Sequence, residues 1–366
     1  MKKLPIKQDK ITNDFQLEIL KQINSKNIGK NIMVSPLGIF HILSLTANGA
    51  ANKTMVEMLQ LLGHKNKLDL NKVNSALSSI ISTFKSIKMA NAIFTKFKPE
   101  QIFLSMTGKY NSTVDNLISA EQVNSWCSKA TNNTITKIVD DINDALMILI
   151  NAIYFKGTWE KKFDEKLTNQ LVFYNFNKEE KITDFMNMEN NFDYFENQYL
   201  QAIQINYNKD NLKAFIILPK TEKDINNYIK NLTKEKYDKI IKGLKREKVF
   251  LSLPKFEIQY EEELKDILIS MGMRDAFDDN AADFSVMKKE KDICVSKVIH
   301  KTFIKVDEKG TVAAAVTAVV MRKKLGMPVK DEPKIMNVNH PFLFIIRSGN
   351  LPPENDILFF TKVEAL

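Results

Sequence analysis

The stretch Asp307-Glu308-Lys309-Gly310-Thr311-Val312-Ala313-Ala314-Ala315-Val316-Thr317-Ala318-Val319-Val320-Met321-Arg322-Lys323-Lys324 constrains this chain more than any other. Gly310 follows a charged triplet and can take backbone angles that other residues resist. The residues from Thr311 to Val320 are small or β-branched, with no charge, proline or further glycine. Three consecutive cations close the stretch. Read as a strand, it puts Thr311, Ala313, Ala315, Thr317, Val319 and Met321 on one face and Val312, Ala314, Val316, Ala318 and Val320 on the other. Neither face is bulky, so the segment can be buried on both sides within a sheet. Alanine-rich runs also favour helix, and periodicity does not separate the two in so short an apolar run. The run is far short of a membrane span.

The rest of the chain has the balance of a folded protein: 366 residues, 44% hydrophobic and 27% charged. No Pro/Gly/Ser-rich linker, low-complexity block or internal repeat interrupts it, so one domain over residues 1–366 is expected. The net charge is +9, with lysines scattered and locally enriched between Lys220 and Lys248. A nucleic-acid protein of this charge would show a concentrated patch with interleaved aromatics, and none is evident. The charge reads as a solvated basic surface, with weak binding of a polyanion as the remaining option. Cys127 and Cys294 are too far apart in sequence to form a disulfide framework and fit free thiols in a reducing compartment. Met1 to Lys10 is basic but has no apolar core behind it. No secretory signal is expected, which points to the cytoplasm or to release by a non-classical route.

Enzyme chemistry finds little support. No two glycines lie closer than nine positions, Gly29 and Gly38 being the nearest pair. That removes the nucleophile elbow, the dinucleotide fingerprint and the phosphate-binding loop. Paired-cysteine and H-E-x-x-H zinc spacings are absent too, so neither a metal nor a cofactor is implied. The histidines are His41, His64, His300 and His340. His41 sits in an apolar helical run and reads as a satisfied core residue rather than a base.

Several motifs recur in a family order. They include Asn31-Ile32-Met33-Val34-Ser35-Pro36 before the apolar run Gly38 to Ala47, then Ala90-Asn91-Ala92-Ile93-Phe94, and Val123-Asn124-Ser125-Trp126 with Thr131 and Ile135. Next come Leu146 to Trp159 with Asn151 as its odd polar residue, Leu253-Pro254-Lys255-Phe256, and Met271-Gly272-Met273-Arg274-Asp275-Ala276-Phe277. Then follow His300 to Thr311 and Asn339-His340-Pro341-Phe342. Leu70 to Ile87 and Asp224 to Leu244 are helical in period. Together these stretches, from about residue 13 to 364, resemble the serpins, inhibitors whose exposed reactive loop is bait for a protease.

The resemblance implies an α+β fold, with several helices around three β-sheets and an exposed reactive-centre loop at about 308–335. It implies a hinge at Glu308, Gly310, Thr311, Val312, Ala313, Ala314 and Ala315. Inhibitory members usually carry Glu where this chain has Val312. Ser35, Asn151 and His300 fall where family residues meet beneath the main sheet, and Trp159 falls where the loop first enters it. Gly38 stands where the family often has serine. Counting seventeen residues with Glu308 as the first places the scissile bond between Lys324 and Leu325, with Arg322, Lys323 and Met327 as alternatives. A lysine there suits a protease whose primary pocket ends in a carboxylate. The implied partner is a serine protease held covalently by a suicide substrate, and the chain itself is expected to be a monomer. A non-inhibitory binding or chaperone-like serpin is the alternative.

Overall fold

The computed structural model describes residues 12–221, 224–311, 332–351 and 356–366. At its centre is the helix Pro36–Gly49. Ser35 caps its first turn by accepting from the Gly38 N–H, and Pro36 occupies a first-turn position where a missing N–H costs nothing. Every residue of this helix is buried. It packs between the helices Thr12–Lys26, Asn52–Leu61, Lys67–Ile81 and Gln101–Thr107 and the strands Ile87–Thr95, Met147–Phe155 and Ile357–Val363. That enclosure accounts for an apolar run with no polar face.

The strands join into two sheets. The smaller has the order Thr113–Asn116, Ile87–Thr95, Met147–Phe155, Lys297–Asp307, Gly310–Thr311, Gly157–Thr158, with Phe256–Glu263 also paired to Lys297–Asp307. All nine residues of Met147–Phe155 are buried. One of their faces lies over Pro36–Gly49. On the other, Ile148 and Ile150 share a cluster with Val123 and Cys127 of the helix Ala120–Ala130. Burial on both faces explains a strand with no polar alternation.

Among the described residues the larger sheet has nine strands and includes Glu180–Glu196, which is 17 residues long. One end of this strand pairs with Leu200–Asn206, and the remainder pairs with Lys245–Pro254 and Asn169–Tyr174. The α+β class is as the resemblance implies. The three sheets it implies are linked here into two, because this single strand is long enough to bridge a break.

Two helix boundaries differ from the sequence periodicity. The run Leu70 to Ile87 is a helix only over Lys67–Ile81, because the Ser82 and Thr83 hydroxyls bond back to the Ser79 and Ile80 carbonyls and Ile87 opens a strand. Asp224 to Leu244 is two helices, Asp224–Lys230 and Lys234–Gly243. Thr233 accepts from the Lys236 N–H and so starts the second. Among the described residues no helix is long and apolar enough to cross a membrane.

Candidate functional site: the loop hinge and the polar chain beneath the sheet

The strand Lys297–Asp307 ends in a turn built by its last side chain. Asp307 Oδ1 accepts from the N–H groups of Lys309 at 2.9 Å and Gly310 at 3.2 Å. Glu308 is buried in this turn. It accepts from the Thr168 hydroxyl at 2.7 Å and pairs with Lys255 at 3.3 Å. Burial alone would raise the Glu308 pKa, but Thr168, a backbone N–H and the Lys255 ammonium together hold it below the usual carboxylate range. Gly310 has φ +150°, and a Cβ there would run into the Gly157 carbonyl. Only glycine fits, on both counts.

Gly310 and Thr311 are already strand. They pair antiparallel with Asp307 and Val306 on one side and with Thr158 and Gly157 on the other. Thr311 is fully buried and its hydroxyl lies 2.7 Å from the Tyr207 hydroxyl. Burial pushes the Tyr207 phenol pKa up, so it stays protonated. Tyr207 stacks on Trp159 with ring centroids 4.5 Å apart and planes 17° apart. The Trp159 indole N–H donates to the Asp307 carbonyl at 2.9 Å. The backbone N–H groups of Trp159 and Phe163 donate to the Lys309 and Glu308 carbonyls. All three carbonyls of the turn are therefore satisfied, and the first two strand residues after it are locked at the top of the sheet.

Below this lock, Met147–Phe155 and Lys297–Asp307 pair directly and in parallel, from Lys297↔Ile148 to Phe303↔Tyr154. Gly310–Thr311 runs antiparallel to its neighbours at the point where these two strands part. An inserted continuation would replace one parallel ladder by two antiparallel ones, which pair somewhat more stably per residue.

The polar side chains beneath the sheet form one continuous chain. The Ser35 N–H donates to His300 Nε2 at 3.1 Å. Nε2 is therefore the acceptor, and Nδ1 carries the proton that Asn151 Oδ1 accepts at 2.8 Å. Asn151 Nδ2 then donates to Asn91 Oδ1 at 2.6 Å. In register, Asn151 lies opposite Asn91 on one side and His300 on the other. Thr302, two residues along from His300, donates to the Met33 carbonyl. The two parallel strands are thus tied to each other, to the strand beyond and to the helix below. Burial lowers the His300 pKa to about 3 and the His41 pKa to about 4, so both rings are neutral. A Cβ on Gly38 would stand 2.5 Å from Asn151 Oδ1, so the position that often holds serine in the family is filled here by the asparagine amide.

Tyr207 and Thr168, which complete the lock, carry no motif signal. Asn91, which ends the polar chain, lies in the motif Ala90-Asn91-Ala92-Ile93-Phe94, but the motif alone did not mark it as a partner of Asn151. His41 is buried as expected but is not satisfied, because its Nε2 has no partner among the described residues. Val312, Ala313, Ala314 and Ala315 of the expected hinge, and Arg322, Lys323, Lys324, Leu325 and Met327 around the expected scissile bond, lie outside the described residues. The chain resumes with Lys334–Asn337, parallel to Val249–Ser252. In the basic stretch, Lys220, Lys234, Arg246 and Lys248 are paired with Glu196, Asp238, Asp193 and Glu189. Much of its charge is thus compensated locally.

Comparison with known proteins agrees with this geometry. The profile of the family Serpin (serine protease inhibitor) matches residues 10–365. Serpin B8 of Homo sapiens is 32% identical over 355 residues, covering 91% of this chain and 93% of its own length. The leukocyte elastase inhibitor of Xenopus tropicalis is 32% identical over 373 residues, covering 95% and 96% respectively. Among solved structures, the thermophilic serpin tengpin in its native state matches with TM-score 0.88 at 32% identity, over 100% of this chain and 98% of that one. A buried helix under a parallel strand pair, a glycine turn leading into the sheet top and a match over nearly the whole chain place this protein in the serpin family.

Proposed function

We propose that this serpin is a suicide-substrate inhibitor of a serine protease that accepts lysine or arginine before the cut. The observation that carries the reading is the placement of Gly310 and Thr311. The two residues that open the small-sided stretch are already strand, aimed between two strands that pair directly with each other below. Thr311 fits because a buried position between strands admits a small side chain whose hydroxyl finds a partner. Ala313, Ala315 and Thr317 meet the same demand in the residues that follow.

The mechanism starts with the protease taking the loop as substrate. Its serine oxygen bonds to the Lys324 carbonyl carbon, the bond to Leu325 breaks with the serine proton passing to the Leu325 nitrogen, and an ester to the protease remains. The freed loop then continues the strand begun at Gly310–Thr311, gaining roughly ten backbone hydrogen bonds of about 1 kcal/mol each. The tethered protease is carried with it. Distortion of its oxyanion hole removes the donors that deacylation needs, and the ester persists. Val312 falls on the opposite face of the inserted strand from Thr311, where its side chain does not obstruct the step.

Incubation with a trypsin-like protease tests this. The expected product is a covalent complex that survives boiling in detergent, with the cut after Lys324 by mass spectrometry. Clean cleavage with no such complex would favour the non-inhibitory alternative. Lys324→Ala should slow trapping by the same enzyme at least tenfold, because the primary pocket loses its cation. Undiminished trapping with an unchanged cut site would exclude Lys324 as the bait.

A further inference from the structure

A groove of about 600 Å³ opens between the helix Asn52–Leu61 and the turn leading into Lys67–Ile81, remote in sequence from the hinge residues. Met55, Val56 and Leu59 form an apolar wall, and His64, Lys65 and Lys67 line the polar end. The turn is fixed by Gly63 at φ +78° and by the His64 N–H, which donates to the Leu59 carbonyl at 2.8 Å. The volume lies within the range of small-molecule sites, about 300–1,000 Å³.

Lys67 is held in place. Its ammonium donates to the carbonyls of Asn48 at 3.1 Å and Ala50 at 2.6 Å, at the C-terminal end of the buried helix Pro36–Gly49. Those bonds use two of its three donors. Burial lowers the Lys67 pKa, and no carboxylate of the described residues offsets that burial. Asp69, in the first turn of the same helix, is engaged by the Asn66 amide at 2.9 Å. The His64 ring packs against Phe40 at 6.0 Å, and its Nε2 is shielded from solvent without a partner among the described residues. A partly buried cation with a donor to spare stands at the end of a methionine, valine and leucine wall. It is complementary to a negative head on an apolar chain, because a charge-assisted bond gains strength where water is displaced.

We propose that this groove binds a small amphipathic carboxylate of the fatty-acid type, its head on Lys67 and its chain along Met55, Val56 and Leu59. The site stands independently of how the reactive loop acts. Lys67 also grips the end of the helix whose first turn carries Ser35 and Gly38, so occupancy stabilises the native state and is read as a rise in Tm.

The test is titration of the full chain with decanoate, decanol and acetate, followed by calorimetry and thermal melting. Decanoate should bind saturably at one site and raise Tm, with decanol and acetate at least tenfold weaker. Val56 is partly exposed, so Val56→Glu sets a carboxylate on the wall without disturbing the core. It should weaken decanoate at least tenfold while leaving the Tm of the free protein unchanged. Lys67→Met should weaken decanoate while sparing decanol. Absence of saturable decanoate binding, equal affinity for decanol, or wild-type affinity in Val56→Glu would each overturn the proposal.

Discussion

His300 shows how a single side chain can set the pH response of the fold. Its neutral ring accepts from Ser35 and donates to Asn151, and a second proton would break the first bond. Burial holds its folded pKa at about 3, and that of His41 at about 4, against an ordinary value of 6.5. The folded values are depressed, so the unfolded chain binds more protons below pH 6.5. Stability is therefore fully present above that pH and falls as pH drops toward 4. Each histidine contributes about 1.4 kcal/mol per pH unit in that window. Urea midpoints at pH 7, 6, 5 and 4.5 should decline accordingly, and His300→Gln should show a shallower decline; an equal slope in the variant would refute the assignment. Gly38 offers a steric counterpart. Gly38→Ala sets a methyl against the Asn151 amide, which His300 and Asn91 hold in place, and should cost about 1–3 kcal/mol as overpacking. An unchanged urea midpoint would mean that the amide moves aside freely. At this scale the sequence revealed residues whose polarity breaks an apolar pattern, such as Asn151. It could not reveal Tyr207, whose partner is over a hundred positions away and whose surroundings are set only by the folded chain.

The element that matters most is the two-residue strand Gly310–Thr311 with its turn. Its lock has a polar part, Thr311 with Tyr207, and an electrostatic part, Glu308 with Thr168 and Lys255. Tyr207→Phe keeps the stack on Trp159 but leaves the Thr311 hydroxyl buried without its partner, at a cost of about 1–2 kcal/mol. Amide exchange at Gly310 and Thr311 should speed up about tenfold or more, while exchange in Met147–Phe155 is unchanged. No change at Thr311 would mean that the backbone pairing alone holds the hinge. Thr311→Arg goes further, because no inward position here accepts a long cation. Under the proposed mechanism it turns the inhibitor into a substrate, and trapping at the wild-type ratio would rule out this hinge. The helices and strands were largely legible, through periodicity for Lys67–Ile81 and through unbroken apolar runs for Pro36–Gly49 and Met147–Phe155. Their ends were not, because Ser82 and Thr83 stop one helix and Thr233 starts another through local side-chain bonds that periodicity does not register. For the small-sided stretch itself, sequence left helix and strand open. Pairing decides it only at Gly310 and Thr311.

Across the whole molecule, the proposed function depends on a native state that is not the most stable arrangement of its own chain. The parallel pair Met147–Phe155 and Lys297–Asp307 is tied together by the polar chain through His300, Asn151 and Asn91, with Gly310–Thr311, the proposed hinge, at its top. Insertion would exchange that one ladder for two. At roughly ten hydrogen bonds of about 1 kcal/mol each, the gain rivals the entire stability of an ordinary domain. Thermal denaturation before and after cutting the loop with a protease that does not become trapped measures this difference. The account predicts that the cut protein, both fragments still associated, melts about 20 °C or more above the intact one, far beyond a single-substitution effect. An equal or lower Tm after the cut would contradict loop insertion and the inhibitory mechanism built on it.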